Sequence, residues 1–448
     1  KRPLNYIEKV QHQMKNIFCN FHQLEFTNHK LNRNNFLKAY AATAWKHPIL
    51  RANVYHDSQG IPYWKEFKNY VPDIKFSEVK SLEERIPRHM FNKTIISDEV
   101  DRPRLDLEVF TCDNQAILSL DWCHSIFDGR GLGIFINDLL SYYTKFSQGK
   151  PYDPNDKDNA PYPFADSPVY PVGSESNPEL QRKISEIRKK VLEKRNNFRL
   201  MMPTQFSTNP ESETLISDYE DGSIENFSKL LEFRNENKLT LAGIMNSNAL
   251  AAVALMARDY NTNQGKDKIP VYMSVTTDNA HQYDPDTSKK IHLRFDICEF
   301  YSHLSYSETL LDFTRRITEE LSGKLNEDYG LVIPTISTPE FIENRESHDL
   351  STDVFNTIIS YGKKNVFEIN KGETIKYKGF INTSWSTDEY RMFVLANMSY
   401  ISFTDRVRYH LIVPSSNEKY TRELLKYRKM LTEDFPSWAN TRIGNIII

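Results

Sequence analysis

The sequence predicts an α+β protein of two similar halves, each combining helices with a mostly antiparallel mixed sheet. Two observations carry this. Apolar residues at three- and four-residue helical spacing alternate along the chain with short β-rich or alternating runs. The same kinds of element recur on both sides of a proline-rich connector, although no residue-level repeat is present. The 448 residues allow two or three domains at about 100–200 residues each. We divide the chain into a first half, 1–175, which includes the connector, and a second, 176–448.

Composition bounds the function. Apolar residues make up 39% and aromatics 12%, which suits a folded core and not a disordered chain. Lys and Arg total 57 against 60 Asp and Glu. With no basic excess, a dedicated nucleic-acid binder is disfavoured. Cys19, Cys112, Cys123 and Cys298 form no C-x-x-C pair, so neither a zinc knuckle nor a disulfide framework is expected. That usage fits an intracellular, cytoplasmic protein, with the endoplasmic reticulum or a lipid-droplet surface as further expectations. The chain starts at Lys1, not Met, so the natural start can lie upstream.

Asn34 to His47 reads as a helix, with Phe36, Leu37, Tyr40, Ala41, Ala44 and Trp45 at helical spacing. Pro48 ends it, and Ile49 to Tyr55 reads as a strand. Leu105 to Phe110 and Ile117 to Trp122 read as a strand pair around Asp113-Asn114. A helix follows from Gly133 to Lys145. The connector holds Pro151, Pro154, Pro161, Pro163, Pro168, Pro171 and Pro178, and should run extended along the surface. Glu179 to Arg199 reads as a basic amphipathic helix, from which peripheral membrane contact is conceivable; docking on its own protein is the plainer expectation.

In the second half Ser223 should cap a helix reaching Phe233. Leu241 to Ala257 is the most apolar stretch, but it contains Asn246, Ser247 and Asn248 and is shorter than the about 20 residues of a membrane span. It reads as a buried core helix. Val271 to Val275 and Ile291 to Ile297 read as strands, Glu308 to Leu321 as a helix, and Val354 to Ser360, Met392 to Met398 and Val407 to Val413 as further strands.

One constellation carries chemistry: Asp121-Trp122-Cys123-His124-Ser125-Ile126-Phe127-Asp128-Gly129, of the form H-x-x-x-D-G, lies where an apolar strand ends and a helix is about to begin. Twelve histidines and this acid content give an acid at +4 roughly 1.6 times by chance, but with Gly at +5 only roughly 0.05 times. His292 and Asp296 share the first spacing without the glycine. In a strand such residues stand about 13 Å apart and cannot act together.

His124-Ser125-Ile126-Phe127-Asp128-Gly129 resembles the signature of the CoA-dependent acyltransferase superfamily, which includes chloramphenicol acetyltransferase, plant alcohol acyltransferases and non-ribosomal condensation domains. Within it the chain most resembles the fungal alcohol acetyltransferases, with a yeast branch that N-acetylates sphingoid-like drugs as a close alternative. Phe36 to Arg51, above all Lys46-His47-Pro48-Ile49-Leu50-Arg51, resembles the family's first helix and strand, and Ile358-Ile359-Ser360-Tyr361-Gly362 a later strand and turn. The likeness follows element order along the whole chain; only the His124 motif is specific.

The resemblance implies two chloramphenicol-acetyltransferase-like domains with an active-site channel between them. It implies direct transfer of an acetyl group from acetyl-CoA, as co-substrate, to a hydroxyl or amine of a hydrophobic small molecule. His124 would be the general base, since an imidazole of pKa about 6.5 can accept a proton at cellular pH. Its other nitrogen should be held by a carbonyl or similar acceptor. Asp128 would turn away, pair with an arginine and shape the loop with Gly129. After Val271 to Val275, where the family carries that arginine, Thr276-Thr277-Asp278-Asn279 offers none. Thr383 and Ser384 are candidate oxyanion donors. The plant D-F-G-W-G signature and any glycine-rich phosphate loop are absent, so the CoA contacts are not assigned. A Cys123 acyl-enzyme is disfavoured because neighbouring strand residues face opposite ways. No metal or nucleic-acid partner is expected, and the protein is read as a monomer. The rival readings are a sphingoid-base N-acetyltransferase with a detoxifying or lipid-modifying role, and a condensation-like binding protein without catalysis.

Overall fold

A computed structural model describes residues 1–4, 6–13, 17–82, 97–164, 215–263, 265–277, 289–291, 293, 296–327, 354–360, 366–385, 396–402, 407–414 and 418–447, with isolated residues between 178 and 189. The chain divides into two compact units. Unit 1 is Lys1–Val169, Asp278–Phe295 and Tyr361–Thr387; unit 2 is Tyr170–Thr277, Asp296–Ser360 and Asp388–Ile448. The units are therefore discontinuous in sequence. This differs from a single cut at 175/176, because two segments of the second half return to unit 1.

Unit 1 contains strands β1 (Arg2–Pro3), β2 (Ile17–Thr27), β3 (Ala52–His56), β4 (Pro62–Glu66), β5 (Lys75–Glu78), β6 (Leu105–Cys112) and β7 (Gln115–Cys123), together with β12 (Val366–Asn370) and β13 (Glu373–Trp385). Its helices are α1 (Tyr6–Gln13), α2 (Arg33–Lys46) and α3 (Gly129–Ser147). One sheet has the order β12-β13-β2-β7-β6-β5, and a smaller one the order β1-β4-β3. All pairings are antiparallel except β5 with β6.

The β6–β7 hairpin turns at Asp113-Asn114, where Asp113 takes a φ of 51°, a conformation Asp tolerates better than most residues. Alternation then sets one face: Ala116, Leu118, Leu120 and Trp122 of β7 share it with Leu105, Leu107 and Val109 of β6, and all are buried. On β2 the same face presents Asn20, His22, Leu24 and Phe26. Aromatic rings link strand and helices, with centroids 6.4 Å apart for Phe26–Tyr143, 6.2 Å for Phe36–Tyr143 and 6.2 Å for Tyr40–Phe135. Such edge-on or tilted contacts add to area burial.

Helix α2 starts under a cap, Asn32 Oδ1 accepting from the Asn35 amide at 3.0 Å. The expected strand at Ile49 begins later. Pro48 opens a 3-10 turn, Pro48–Arg51, and β3 starts at Ala52. Proline at the first position of a helical turn loses no bond and presets φ, which the β-rich composition of this stretch conceals. Trp45, counted above in the apolar stripe, is 44% exposed and sits against the Arg51 guanidinium at 5.0 Å. The connector docks on unit 1 as far as it is described. Tyr142 Oη donates to Asn159 Oδ1 at 3.0 Å, Asn159 Nδ2 to the Asp153 carbonyl at 2.7 Å, and the Tyr162 amide to the Lys46 carbonyl at 2.9 Å. Residues 165–177 and most of Glu179 to Arg199 lie outside the described residues.

Unit 2 contains β8 (Leu215–Gly222), β9 (Lys268–Thr277), β10 (Asp296–Ser305), β11 (Val354–Ser360), β14 (Ala396–Ser402) and β15 (Val407–Pro414), in the order β10-β9-β11-β14-β15-β8. The central β11 runs parallel to both neighbours and the other pairs are antiparallel. Its helices are α4 (Ile224–Glu236), α5 (Leu241–Met256), α6 (Leu310–Glu327) and α7 (Glu418–Glu433). Ser223 caps α4 as expected, accepting from the Asn226 amide at 3.2 Å.

Helix α5 is the core element the sequence predicts. Every residue from Gly243 to Leu255 is buried. Two of its polar side chains reach neighbouring elements: Ser247 Oγ lies 2.7 Å from Thr314 Oγ1, and Asn248 Nδ2 donates to the Leu431 carbonyl at 3.0 Å. Gly243 is required by space, because a Cβ there would overlap the Thr318 hydroxyl. Among the described residues no single helix is long and apolar enough to cross a membrane.

The predicted strand at Ile291 to Ile297 falls partly outside the described residues. β10 begins only at Asp296, while Ile291 and Leu293 are buried in the preceding segment, which belongs to unit 1. His292 lies outside the described residues. β14 is described from Ala396, and Met392, where that strand is predicted to start, lies outside the described residues.

Two fully buried histidines make the fold acid-sensitive. Burial lowers His22 to about 3, and its Nδ1 lies 2.9 Å from Tyr377 Oη. Burial, with the Arg408 and Arg428 charges, lowers His410 to about 3. Between about pH 6.5 and 3 the unfolded chain binds protons that the native rings refuse, so stability falls as pH falls, by up to about 1.4 kcal/mol per pH unit for each ring. Denaturant unfolding at pH 7 and pH 5 should show a lower midpoint at pH 5. His22→Gln, which can still meet Tyr377, should shrink the difference.

Candidate active site

The His124 motif is a hook between a strand and a helix. The last rung of β7 pairs Cys123 with Ile17, and the Cys123 amide also donates to the Arg104 carbonyl at 3.2 Å. The chain then turns, with the Ile126 amide returning to the Cys123 carbonyl at 3.0 Å. Ile126 and Phe127 are fully buried plugs. Phe127 stacks on Trp122 at 5.0 Å and on Phe135 at 6.4 Å, which pins the turn to both strand and helix.

Asp128 closes the hook. Its backbone is extended, at φ −98° and ψ −172°, and its carboxylate accepts from the Gly131 amide at 2.9 Å as the N-cap of α3. A carboxylate there also suits the positive end of the helix. Gly129 is the first helical residue and is not among the glycines with positive φ. An acid just before a helical stripe signals this capping role in the sequence.

His124 is therefore the residue that leaves the strand end while its neighbours are held inside. The ring is partly buried. Burial lowers its pKa to about 4, and a hydrogen bond to its own main chain pulls it back up. The ring is neutral at cellular pH and able to accept a proton. Next to it Ser125 is fully buried, and its hydroxyl meets no hydrogen-bond partner among the described residues.

Cys123 packs away from this position. It is 4% exposed, and its thiol contacts the Arg104 guanidinium. Thr383 and Ser384 lie near the end of β13 in unit 1, in the sheet that carries β7. Thr383 stands opposite Cys19, itself opposite Asp121; Ser384 stands opposite Phe18, itself opposite Trp122. Two strand spacings put them about 10 Å from β7 at the His124 end of the sheet.

The Lys46–Arg51 motif is scaffold. His47 Nδ1 accepts from the Ile291 amide at 3.3 Å, so its proton sits on Nε2, which meets Asp138 at 2.7 Å. Lys46 reaches the same carboxylate at 3.1 Å. Arg51 donates through Nε to the Ala44 carbonyl at 2.9 Å and pairs with Glu66.

Among the described residues, His12, His56 and Asp98 form a group whose ligand atoms lie within 4.8 Å of one another. Its wiring opposes a metal. Arg104 Nη1 can only donate, so His12 Nδ1, 3.0 Å away, accepts. The ring proton then sits on Nε2, facing Asp98 at 3.2 Å, where a metal would need a lone pair.

No family model matches the sequence, and no curated protein matches it. The fold has clear relatives among solved structures. Polyketide synthase associated protein 5 from Mycobacterium tuberculosis matches with a TM-score of 0.65 at 12% identity, over 97% of this chain and 98% of that one. The EpoB cyclization-docking bidomain of a non-ribosomal peptide synthetase from Sorangium cellulosum matches at 0.65 and 14% identity, over 98% and 86%. The first condensation domain of the calcium-dependent antibiotic synthetase, solved with a substrate analogue, matches at 0.64 and 10% identity, over 100% and 98%. The chain thus has the α+β fold of condensation domains, to which the sequence resemblance pointed.

The cap makes a prediction about Asp128. Asp128→Ala should lower unfolding stability by about 1 kcal/mol, while Asp128→Asn, which still caps, should lose a few tenths. Urea unfolding of the two variants checks this; equal losses would argue against the capping role.

Proposed function

We propose that this chain is an acyltransferase that moves an acetyl group from acetyl-CoA to a hydroxyl of a hydrophobic small molecule, with neutral His124 as general base. The observation that carries the reading is the hook. It presents one uncharged imidazole at a strand end, in the H-x-x-x-D-G setting, on a condensation-domain fold. The acceptor oxygen attacks the thioester carbonyl as its proton passes to His124. The C–S bond then breaks, and the imidazolium returns the proton to the departing CoA thiolate. No acyl-enzyme is needed, and Cys123, buried against Arg104, is not placed to form one. Thr383 or Ser384 would donate to the oxyanion. The motif's resemblance to fungal alcohol acetyltransferases supports this branch.

Transfer to an amine, as in the sphingoid-like branch, is the second reading, and the acceptor's own protonation separates the two. An alkylammonium of pKa about 10 must lose its proton before its nitrogen can attack. Amine transfer would therefore rise about tenfold per pH unit towards pH 9, whereas alcohol transfer would be level from about pH 6 to 8.

Thiol release from acetyl-CoA against fusel alcohols, sterols and sphingoid amines tests the reading. A productive acceptor should be found, and His124→Ala should slow its turnover by about 10²–10⁴-fold. Wild-type turnover in the alanine variant would sink the mechanism. No turnover with any acceptor would favour a binding protein on this fold.

A further inference from the structure

We propose that Arg104 is a positioning residue that holds the His124 turn in register by clamping the end of β7 to helix α1, strand β3 and the loop at 97–100, and that it sets turnover without touching substrate. The inference rests on reading His124 as the base.

Arg104 is 4% exposed and immediately precedes β6. Its carbonyl takes the Cys123 amide, the last backbone anchor before the reactive histidine. Its side chain contacts the same residue again, through the Cys123 thiol. The rest of the guanidinium is spread over three other elements. Nε donates to Asn53 Oδ1 on β3 at 2.7 Å, Nη1 to His12 Nδ1 on α1 at 3.0 Å, and Nη2 pairs with Asp98. Asn53 extends the clamp, its Nδ2 donating to the carbonyls of Ser97 at 3.1 Å and Val100 at 3.0 Å.

This arrangement is stiff for a physical reason. A buried guanidinium that loses a partner is left as an unpaired charge in a poorly solvated place, and its planar fork fixes directions as well as charge. The hook is thereby anchored on both sides, by the Asp128 cap after His124 and by Arg104 before it. Reactive groups are sensitive to placement, and a shift of about 1 Å can cost about 10²-fold in rate.

The test uses the full chain with Arg104→Met, Arg104→Lys and Asn53→Ala. It reads kcat and KM for thiol release from acetyl-CoA, and the NMR titration of the His124 ring. Folded Arg104→Met should lose about 30–100-fold in kcat, keep KM within about twofold, and show His124 titrating closer to the solvated value of about 6.5. Arg104→Lys keeps the charge without the fork, so it should recover part of the rate; a titration shift that persists in it reports lost geometry. Folded Arg104→Met with unchanged kcat and unchanged titration overturns the proposal. If Arg104→Met does not fold, Asn53→Ala decides: a loss of about 3–10-fold in kcat with a shifted titration supports the clamp, and wild-type values refute it. If the wild-type protein releases no thiol with any acceptor, the assigned reaction fails, and the titration alone then decides whether Arg104 positions the ring.

Discussion

The turn from β7 into α3 is the constraint on which the site depends. Between the last rung at Cys123 and the first helical residue at Gly129, the chain must reverse direction, bury two apolar side chains and start a helix. Ile126 and Phe127 take the interior, and Asp128 takes the free amide of Gly131. His124 is left as the group that departs the ladder. The motif is thus a folding solution first: Ile126, Phe127 and Asp128, between the histidine and the glycine, are residues the turn uses. Reactivity follows from where that solution leaves the imidazole.

Burial then decides the chemistry of the ring. Removing water disfavours the imidazolium, and the main-chain hydrogen bond only partly offsets this. The result is a weak base that is always available, as opposed to a stronger one that is protonated part of the time. Such a base suits an acceptor whose proton becomes acidic only as its bond to carbon forms. The same burial at His22 and His410 has no evident chemical use and weakens the fold in acid. A low pKa is therefore not by itself a mark of function; the strand-end position distinguishes His124.

Much of this was legible in the sequence because it is local. The hairpin around Asp113-Asn114, the α2 stripe, the Ser223 cap and the buried α5 helix follow from spacing and turn chemistry within a few residues. The His124 hook is local too. What escaped depends on distant partners. Nothing near Val366 or Glu373 says that β12 and β13 join the sheet of β2 and β7 rather than that of β11. The residues converging on Arg104 come from positions 12, 53, 98 and 123, a separation no window of periodicity spans. The Thr383 hydroxyl is visible in the sequence, but only strand register places that residue at the His124 end of the sheet.

The pH dependence of kcat/KM for an alcohol acceptor tests the central claim most directly, since it reports the base of the free enzyme. With His124 buried and neutral, the profile should be level from pH 8 to about 5 and fall only as pH approaches the ring's value of about 4. A limb centred near 6.5, the value of a solvated imidazole, would contradict the account.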